Sequence, residues 1–420
     1  MRILFTNNTL GARGGTELYV RDVALALLDR GHQPMVFTLE PGEVAAELIA
    51  AGVPVTDDLR QLPAFPSLIH GHHAIETTLA AAAFPAVPVL SFCHGPEAWQ
   101  EAPCRLPNVT RWIAVDESCR RRLVEEENIP AKRVQVLLNF VDLARFSQRP
   151  PLPAKPGKAL IFSNKMTIQH PVVLAISAAC ASRGIAVETC GLGFGRPAEF
   201  PGDVLRRYDL VFAKARCALE ALASGCAVVL ADHFGAGRLI TTANFDEIRP
   251  LNFGFESMTM DATSEYLGAE IDRYDPADSA AVTLRIRSRA SLMDTVDRLE
   301  EIYREASATS LPDFDPIHAA FDFWRFHLFL SKKPLSAMRR APGRPFRLPV
   351  PPLDKPLDLV WSELCATHSE VSALRLTAMQ TKLARREREI AALTAKITIL
   401  QGGRNPEPAR GWRKWLSGKY

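Results

Sequence analysis

Residues 211–232 read VFAKARCALEALASGCAVVLAD, and the chain before them repeats their arrangement. The stretch begins apolar and turns basic at Lys214 and Arg216. It continues with a helical pattern whose one acid is Glu220, and stops at Ser224-Gly225. A second apolar run, Ala227 to Leu230, follows. Strand, loop, short helix, glycine stop, strand is the unit of a parallel sheet. Such sheets take ligands at the carboxyl ends of their strands. Lys214, Arg216 and Glu220 are therefore candidates for ligand contact. The alternative is a surface loop with two solvated cations.

Working outward, the alternation continues upstream. Met1–Thr6 reads as a buried strand, followed by a glycine-bearing loop and a helix from about Thr16 to Arg30 that Gly31 stops. Strands are expected at Pro34–Leu39, Val53–Val55, Ser67–His70, Val87–Ser91, Arg111–Val115 and Val134–Leu138, with helices at Glu43–Ala51 and Ser118–Asn128. The strands are apolar on both faces, as in a doubly wound parallel sheet. The proline-rich stretch Gln148–Gly157 breaks the pattern and reads as a linker. The alternation then restarts, with strands at Lys158–Phe162, Ile185–Thr189, Asp209–Ala213 and Ala227–Ala231 and helices at Pro171–Arg183 and Ala218–Ser224. The fold class is α/β: two Rossmann-like doubly wound domains, 1–147 and 158–305, facing a cleft suited to a nucleotide and a second substrate. The helix Ala281–Glu305 is expected to pack on the second domain. The irregular TTANFDEIRPLNFG after Ile240 is expected to close over the cleft.

Composition bounds the function. The chain has 420 residues, 47% of them hydrophobic and 23% charged, enough for two or three domains. No apolar run is long enough to span a membrane, and MRILFTNN reads as a strand rather than a signal peptide. The eight cysteines, Cys93, Cys104, Cys119, Cys180, Cys190, Cys217, Cys226 and Cys365, lack metal-type pair spacing and suit a reducing cytoplasm. The Asp313–Asp315 pair in DFD lies outside the βα units and is assigned no metal. The net charge of +3 is uneven: residues 331–420 hold eighteen Lys and Arg against seven Asp and Glu, so the remainder is net acidic. A basic tail points to an anionic partner, a membrane surface or a nucleic acid.

Two further positions draw attention. In NNTLGARGGTE, residues 7–17, Gly11, Gly14 and Gly15 permit close backbone approach, and the helix that follows favours an anion. The run is not G-x-G-x-x-G, so a dinucleotide is poorly supported; a tight βα turn needs no ligand at all. His94, in SFCHGPE, follows a strand end, from which a side chain reaches a cleft; a structural histidine is the alternative. His72 and His73 read as loop polarity near the same cleft.

These segments resemble those of a GT-B glycosyltransferase of the glycosyltransferase-4-like type, retaining enzymes that use nucleotide-sugar donors. The resemblance covers roughly residues 1–305. It is carried by GGTELYVRDVALALLDRGHQPMVFT at 14–38, by His94, by WIAVDESCRRRLVEEENIPAKRVQVLLNFVDLARF at 112–146 and by LEALASGCAVV at 219–229. It implies Glu220 on the nucleotide ribose, Gly15 beside Gly14 against the donor phosphate, His94 on the sugar and transition state, and Lys165 on the diphosphate. Phe212 stands where the family has a first acid, Phe140 where it has a glycine, and only His170 is near the second phosphate cation. Lys214 and Arg216 are expected to supply that missing charge in place of a metal. The resemblance thus implies a retaining transferase, without metal or other cofactor, that moves a sugar from a nucleotide-sugar donor to a glycan or lipid-linked acceptor in bacterial surface polysaccharide assembly. The alternative is a degenerate GT-B scaffold acting as a coiled-coil interaction protein.

The C-terminal third extends this body. Residues 306–333 include the aromatic IHAAFDFWRFHLFL, a helix crossing to the first domain or an interfacial helix. A Pro-rich basic linker, 334–356, leads to 357–401, where Leu376, Leu383, Ile390 and Ile397 recur every seven residues with Met379, Leu393 and Leu400 beside them. That predicts a coiled coil and a homo-oligomer; the alternative is a single amphipathic helix docked on the body. The tail, 402–420, carries Trp412 and Trp415 among cations, a composition suited to anionic lipid on the inner face of a membrane. Aromatics are not interleaved through the basic tail, so no nucleic-acid partner is expected.

Overall fold

Seven short apolar segments of the first half pair side by side. They are β1 (Arg2–Thr9), β2 (Gln33–Glu40), β3 (Val55–Thr56), β4 (Leu68–His72), β5 (Val89–Cys93), β6 (Val109–Ala114) and β7 (Val134–Val136). Every pairing is parallel, in the order β3-β2-β1-β4-β5-β6-β7. Ile3, Leu4 and Phe5 are wholly buried in succession, so both faces of the central strand are covered, as a parallel sheet requires. The helices α1 (Gly15–Asp29), α2 (Glu43–Ala50), α3 (Ala74–Ala83) and α4 (Glu117–Arg121) connect the strands. Because β1 pairs with both β2 and β4, the strand order reverses there, and the loops leaving β1 and β4 flank a crevice.

The second sheet comprises β8 (Lys158–Phe162), β9 (Ala186–Cys190), β10 (Leu210–Ala213), β11 (Ala227–Asp232) and β12 (Gly235–Leu239), ordered β12-β11-β10-β8-β9 with only β12 antiparallel. Its helices are α5 (Pro171–Ala181), α6 (Pro201–Leu205), α7 (Ala215–Ala223), α8 (Phe245–Ile248), α9 (Ser264–Ile271), α10 (Pro276–Arg289) and α11 (Leu292–Ser307). Its switch point lies between β8 and β10, so the loops at Ser163 and Lys214 open on its crevice. One glycine is dictated by that crowding. Gly191 has φ +134°, and a Cβ there would lie 2.1 Å from the Ser163 carbonyl oxygen.

This is a computed structural model that describes residues 1–316 and Ala319, all within one compact unit. Apart from Ala319, the crossing or interfacial helix expected at Ile317–Leu330, the linker, the coiled coil, the basic tail and Cys365 lie outside the described residues. Among the described residues no helix is long and apolar enough to cross a membrane, and the seven cysteines are all free.

Three expectations are corrected. Ala281–Glu305 is not one helix on the second domain. Ala290 and Ser291 break it, Val141 hydrogen-bonds into the break on both sides (2.8 and 3.0 Å), and the Ser291 hydroxyl caps α11. Upstream of the break, Val282 and Ile286 fill the second domain's core. Downstream, Val296, Leu299, Ile302 and Tyr303 fill the first's, so α11 is a crossing helix. The chain also leaves the first domain earlier than residue 147: Phe140 packs in the first core, whereas Val141 and Phe146 pack in the second. Finally, the segment after Ile240 is a fixed strut rather than a closing flap. Phe245, Ile248 and Phe253 are buried, Arg249 donates to the Asn139 carbonyl at 2.6 Å, and Asn252 bonds to Val115 and Asn139 of the first domain.

Candidate active site

The carboxyl end of β10 is built more tightly than its sequence implies. Strand and helix are separated by Lys214 alone. Ala215 takes a left-handed φ of 48°, its N–H donating 2.8 Å to the Phe253 carbonyl. Phe212, which stands where the family carries an acid, lies inside the strand between Ile161 and Val229 and is wholly buried. The short turn draws that position into the sheet, where no ligand reaches it.

Turning α7 so early aims Arg216 and Glu220 at the first domain. Arg216 Nε donates 2.8 Å to Glu220 Oε1, and a second guanidinium nitrogen pairs with Asp22 on α1. Asp22 is 4% exposed and also meets Arg21 at 2.6 Å and Arg145 at 3.2 Å. Burial works against the Asp22 carboxylate, but Arg216 and Arg21 overcome it and hold the group below the ordinary carboxylate range. For Glu220 burial prevails and pushes its pKa up despite Arg216. Arg216 is locked in its charged form by the two acids, against the cost of burial. Asp22 was invisible in the sequence as a site residue, because its partner lies 194 positions away.

Lys214 points elsewhere. Its Nζ is 2.6 Å from Asp232 Oδ2 at the end of β11 and 4.6 Å from the centre of the Phe234 ring. Asp232 also accepts from the Ser163 hydroxyl at 2.9 Å. The two cations predicted as one phosphate pair are thus separately neutralised. Lys165 is exposed just after β8, and His170 caps α5 by accepting from the Val172 N–H.

On the first domain, Gly14 caps α1, and a Cβ on it would lie 2.3 Å from the Glu17 carboxylate, whereas Gly15 faces open space. The buried Glu17 carboxylate therefore covers part of the glycine turn, where the helix N-terminus favours negative charge. His94 follows β5 directly and is half-buried. Its Nε2 lies 2.6 Å from Nδ1 of His72, and its backbone N–H donates 2.7 Å to Glu101. The reading of His72 and His73 as loop polarity is corrected. His72 is the last residue of β4 and wholly buried; His73 is buried as well, paired with Glu101 at 3.3 Å. Tyr19 of α1 packs edge-on against His72 and His94, at 5.3 and 5.0 Å, and against Phe140 at 4.9 Å. Phe140, in place of a glycine, thus walls the histidines on one side. Burial lowers His94 to about 4 and His72 and His70 well below the ordinary value, so all three are neutral near pH 7. Burial opposes charge on His73 too, but Glu101 raises its pKa. The arrangement offers neutral imidazoles on one wall and, at the facing domain, a buried guanidinium and carboxylates. Among the described residues, no three His, Cys, Asp or Glu converge in a way that holds a metal ion.

Residues 13–145 match the model of Glycosyltransferase Family 4. Among curated proteins none matches the sequence. Among solved structures the chain is similar to a glycosyltransferase from Rickettsia africae (TM-score 0.56, 14% identity, 74% of this chain and 99% of that one). It is also similar to Anabaena HepE, solved with UDP and glucose (0.52, 16%, 73% and 100%), and to sucrose-phosphate synthase of Thermosynechococcus elongatus (0.51, 13%, 74% and 100%). At such identities the likeness is one of fold. The chain thus has the GT-B fold of these glycosyltransferases, and the segment that holds the glycine turn, His94 and Asp22 resembles Glycosyltransferase Family 4.

Proposed function

We propose that the chain is a retaining, metal-independent glycosyltransferase that moves a sugar from a nucleotide-sugar donor to a glycan or lipid-linked acceptor, in the assembly of a bacterial surface polysaccharide. The observation that carries the reading is the meeting of α1, which begins at the glycine turn, with α7, through Asp22, Arg216 and Glu220. A cleft with no ligand has no use for a guanidinium and a raised carboxyl buried at its centre. In this reading Glu220 accepts from the ribose, while Arg216, Lys214 and Lys165 face the diphosphate beside Gly14 and Gly15. His94 hydrogen-bonds the donor sugar where charge develops. Arg216 must exchange Asp22 for phosphate, so donor binding and domain movement are coupled. The heptads of 357–401 and the tryptophans and cations of 402–420 support a second part of the reading: paired chains acting at an anionic cytoplasmic membrane face.

A panel of nucleoside diphosphates and nucleotide sugars, titrated calorimetrically with and without chelator, tests the reading. One member of the panel is expected to bind equally in both, and Glu220→Ala is expected to weaken it by about 1–3 kcal/mol. Binding that vanishes with chelator, or that ignores Glu220→Ala, overturns it. The burial of Phe212 in place of an acid favours a second reading, a scaffold that binds without turnover. Nucleotide binding with no transfer or hydrolysis of any bound donor would select it.

A further inference from the structure

The contact between His72 and His94 has a consequence for what His94 offers the cleft. The two rings lie 2.6 Å apart, nitrogen to nitrogen, so one hydrogen must sit between them. The ring nitrogen that carries the proton is set by the bond the other one makes. Two arrangements satisfy the contact. If His94 Nε2 donates, then His72 must carry its own proton on Nε2. That atom is buried without a partner among the described residues. If His72 Nδ1 donates, its Nε2 is a bare lone pair, and His94, accepting at Nε2, keeps its proton on Nδ1. A buried N–H left unbonded is costlier than an under-used acceptor, so the second arrangement is favoured. The ring surroundings hold His72 to this role. It stacks on His70 at 4.7 Å, and His70 is itself fixed by its contact with the Tyr303 hydroxyl at 2.5 Å and by stacking on Phe92 at 4.0 Å. On the other side Glu101 accepts from the His94 backbone N–H and so fixes the residue from the loop side.

We propose that His72 is a positioning residue that fixes His94 as the Nδ1–H tautomer, so that His94 meets the donor sugar as a hydrogen-bond donor and not as a base. This rests on the reading of His94 as the group at the donor sugar. It also narrows that reading: a donor stabilises oxygen on which negative charge gathers, whereas a bare nitrogen would take a proton from the acceptor. His72 thereby joins the machinery through His94 without touching substrate.

The test is nitrogen-15 NMR of the full chain labelled at histidine, with no ligand present. In the unsubstituted protein at pH 7, His94 is expected to show a pyrrole-type Nδ1 and a pyridine-type Nε2. In His72→Phe, which keeps the stacked ring and loses the donor, the pattern is expected to reverse. In His72→Asn, whose amide N–H falls near the position of Nδ1, it is expected to return. Turnover with the donor identified in the calorimetric panel should fall between about tenfold and a thousandfold in His72→Phe and recover in part in His72→Asn, with nucleotide affinity unchanged. A His94 that carries its proton on Nε2 in the unsubstituted protein overturns the proposal, as does a tautomer indifferent to both substitutions. If His72→Phe does not fold, His72→Asn and the unsubstituted spectrum still decide. Failure of the underlying reading looks different: His94→Ala would then keep full turnover whatever the tautomer.

Discussion

Lowering the pH from 7 to 5.5 is expected to destabilise this fold sharply, well before its carboxylates titrate. The reason is the neutral imidazole cluster. His70, His72 and His94 are held below the ordinary histidine value in the folded chain, His94 at about 4, chiefly by burial. Unfolded, each returns to about 6.5. The sign follows from which state binds the proton. Between these values the unfolded chain is protonated and the folded chain is not, so stability falls as the pH falls. For His94, shifted from about 6.5 to about 4, the loss between pH 7 and 5.5 is roughly 1.2 kcal/mol, and His70 and His72, held well below the ordinary value, add to it in the same sense. His73, raised by Glu101 against its burial, acts in the opposite sense over the same window, and as a single group it offsets a part. The raised Glu76 and Glu220 oppose the loss from their raised values down to the ordinary carboxylate range, and the lowered Asp22 and Glu101 add to it as the pH falls through that range. Urea unfolding at half-unit steps of pH, followed by tryptophan fluorescence, measures the slope. A total of 5–15 kcal/mol is typical of a domain, so the loss should be plain. Stability that is flat or rising between pH 7 and 5.5 would refute the assignment of three neutral buried histidines.

Other expectations follow from the interdomain contacts. Asp22→Asn should tighten binding of the nucleoside diphosphate found in the panel, because Arg216 no longer has to leave a carboxylate; the thermal midpoint should fall at the same time, as Arg145 and Arg21 lose part of their counter-charge. Weaker binding in Asp22→Asn would mean that Asp22 serves the ligand directly. Leu299→Ala, wholly buried on α11 in the first domain's core, should cost about 2–5 kcal/mol in chemical unfolding; a loss under ~1 kcal/mol would deny α11 its crossing role. Gly191→Ala should lower the thermal midpoint more than Gly184→Ala, since only the first meets a backbone oxygen at 2.1 Å; equal effects would argue against the crowding at Ser163.

The architecture was legible because it depends on local, periodic information. Strands apolar on both faces, glycines after helices at Gly31, Gly52, Gly184 and Gly225 and the turn residues between them recur along the chain, and a parallel sheet is the arrangement that buries such strands. The motifs at 14–38, 112–146 and 219–229 likewise sufficed to recognise the GT-B likeness, which the match over residues 13–145 and the neighbouring folds support. What only tertiary structure decided is where charges and rings meet. Arg216 and Glu220 read as one cation and one acid four residues apart; that a carboxylate 194 positions upstream completes their pairing depends on how two domains dock. His72 read as a loop residue because the expected strand stopped at His70. Its role follows from β4 lying beside β5, which brings it within 2.6 Å of His94. The same holds for the break at Ala290 and Ser291. Helical periodicity runs through it unaltered, since heptad-like spacing reports which faces are apolar and is silent on which core they enter. The insertion of Val141, a hydrogen-bonding partner from 149 residues away, sends α11 to the other domain.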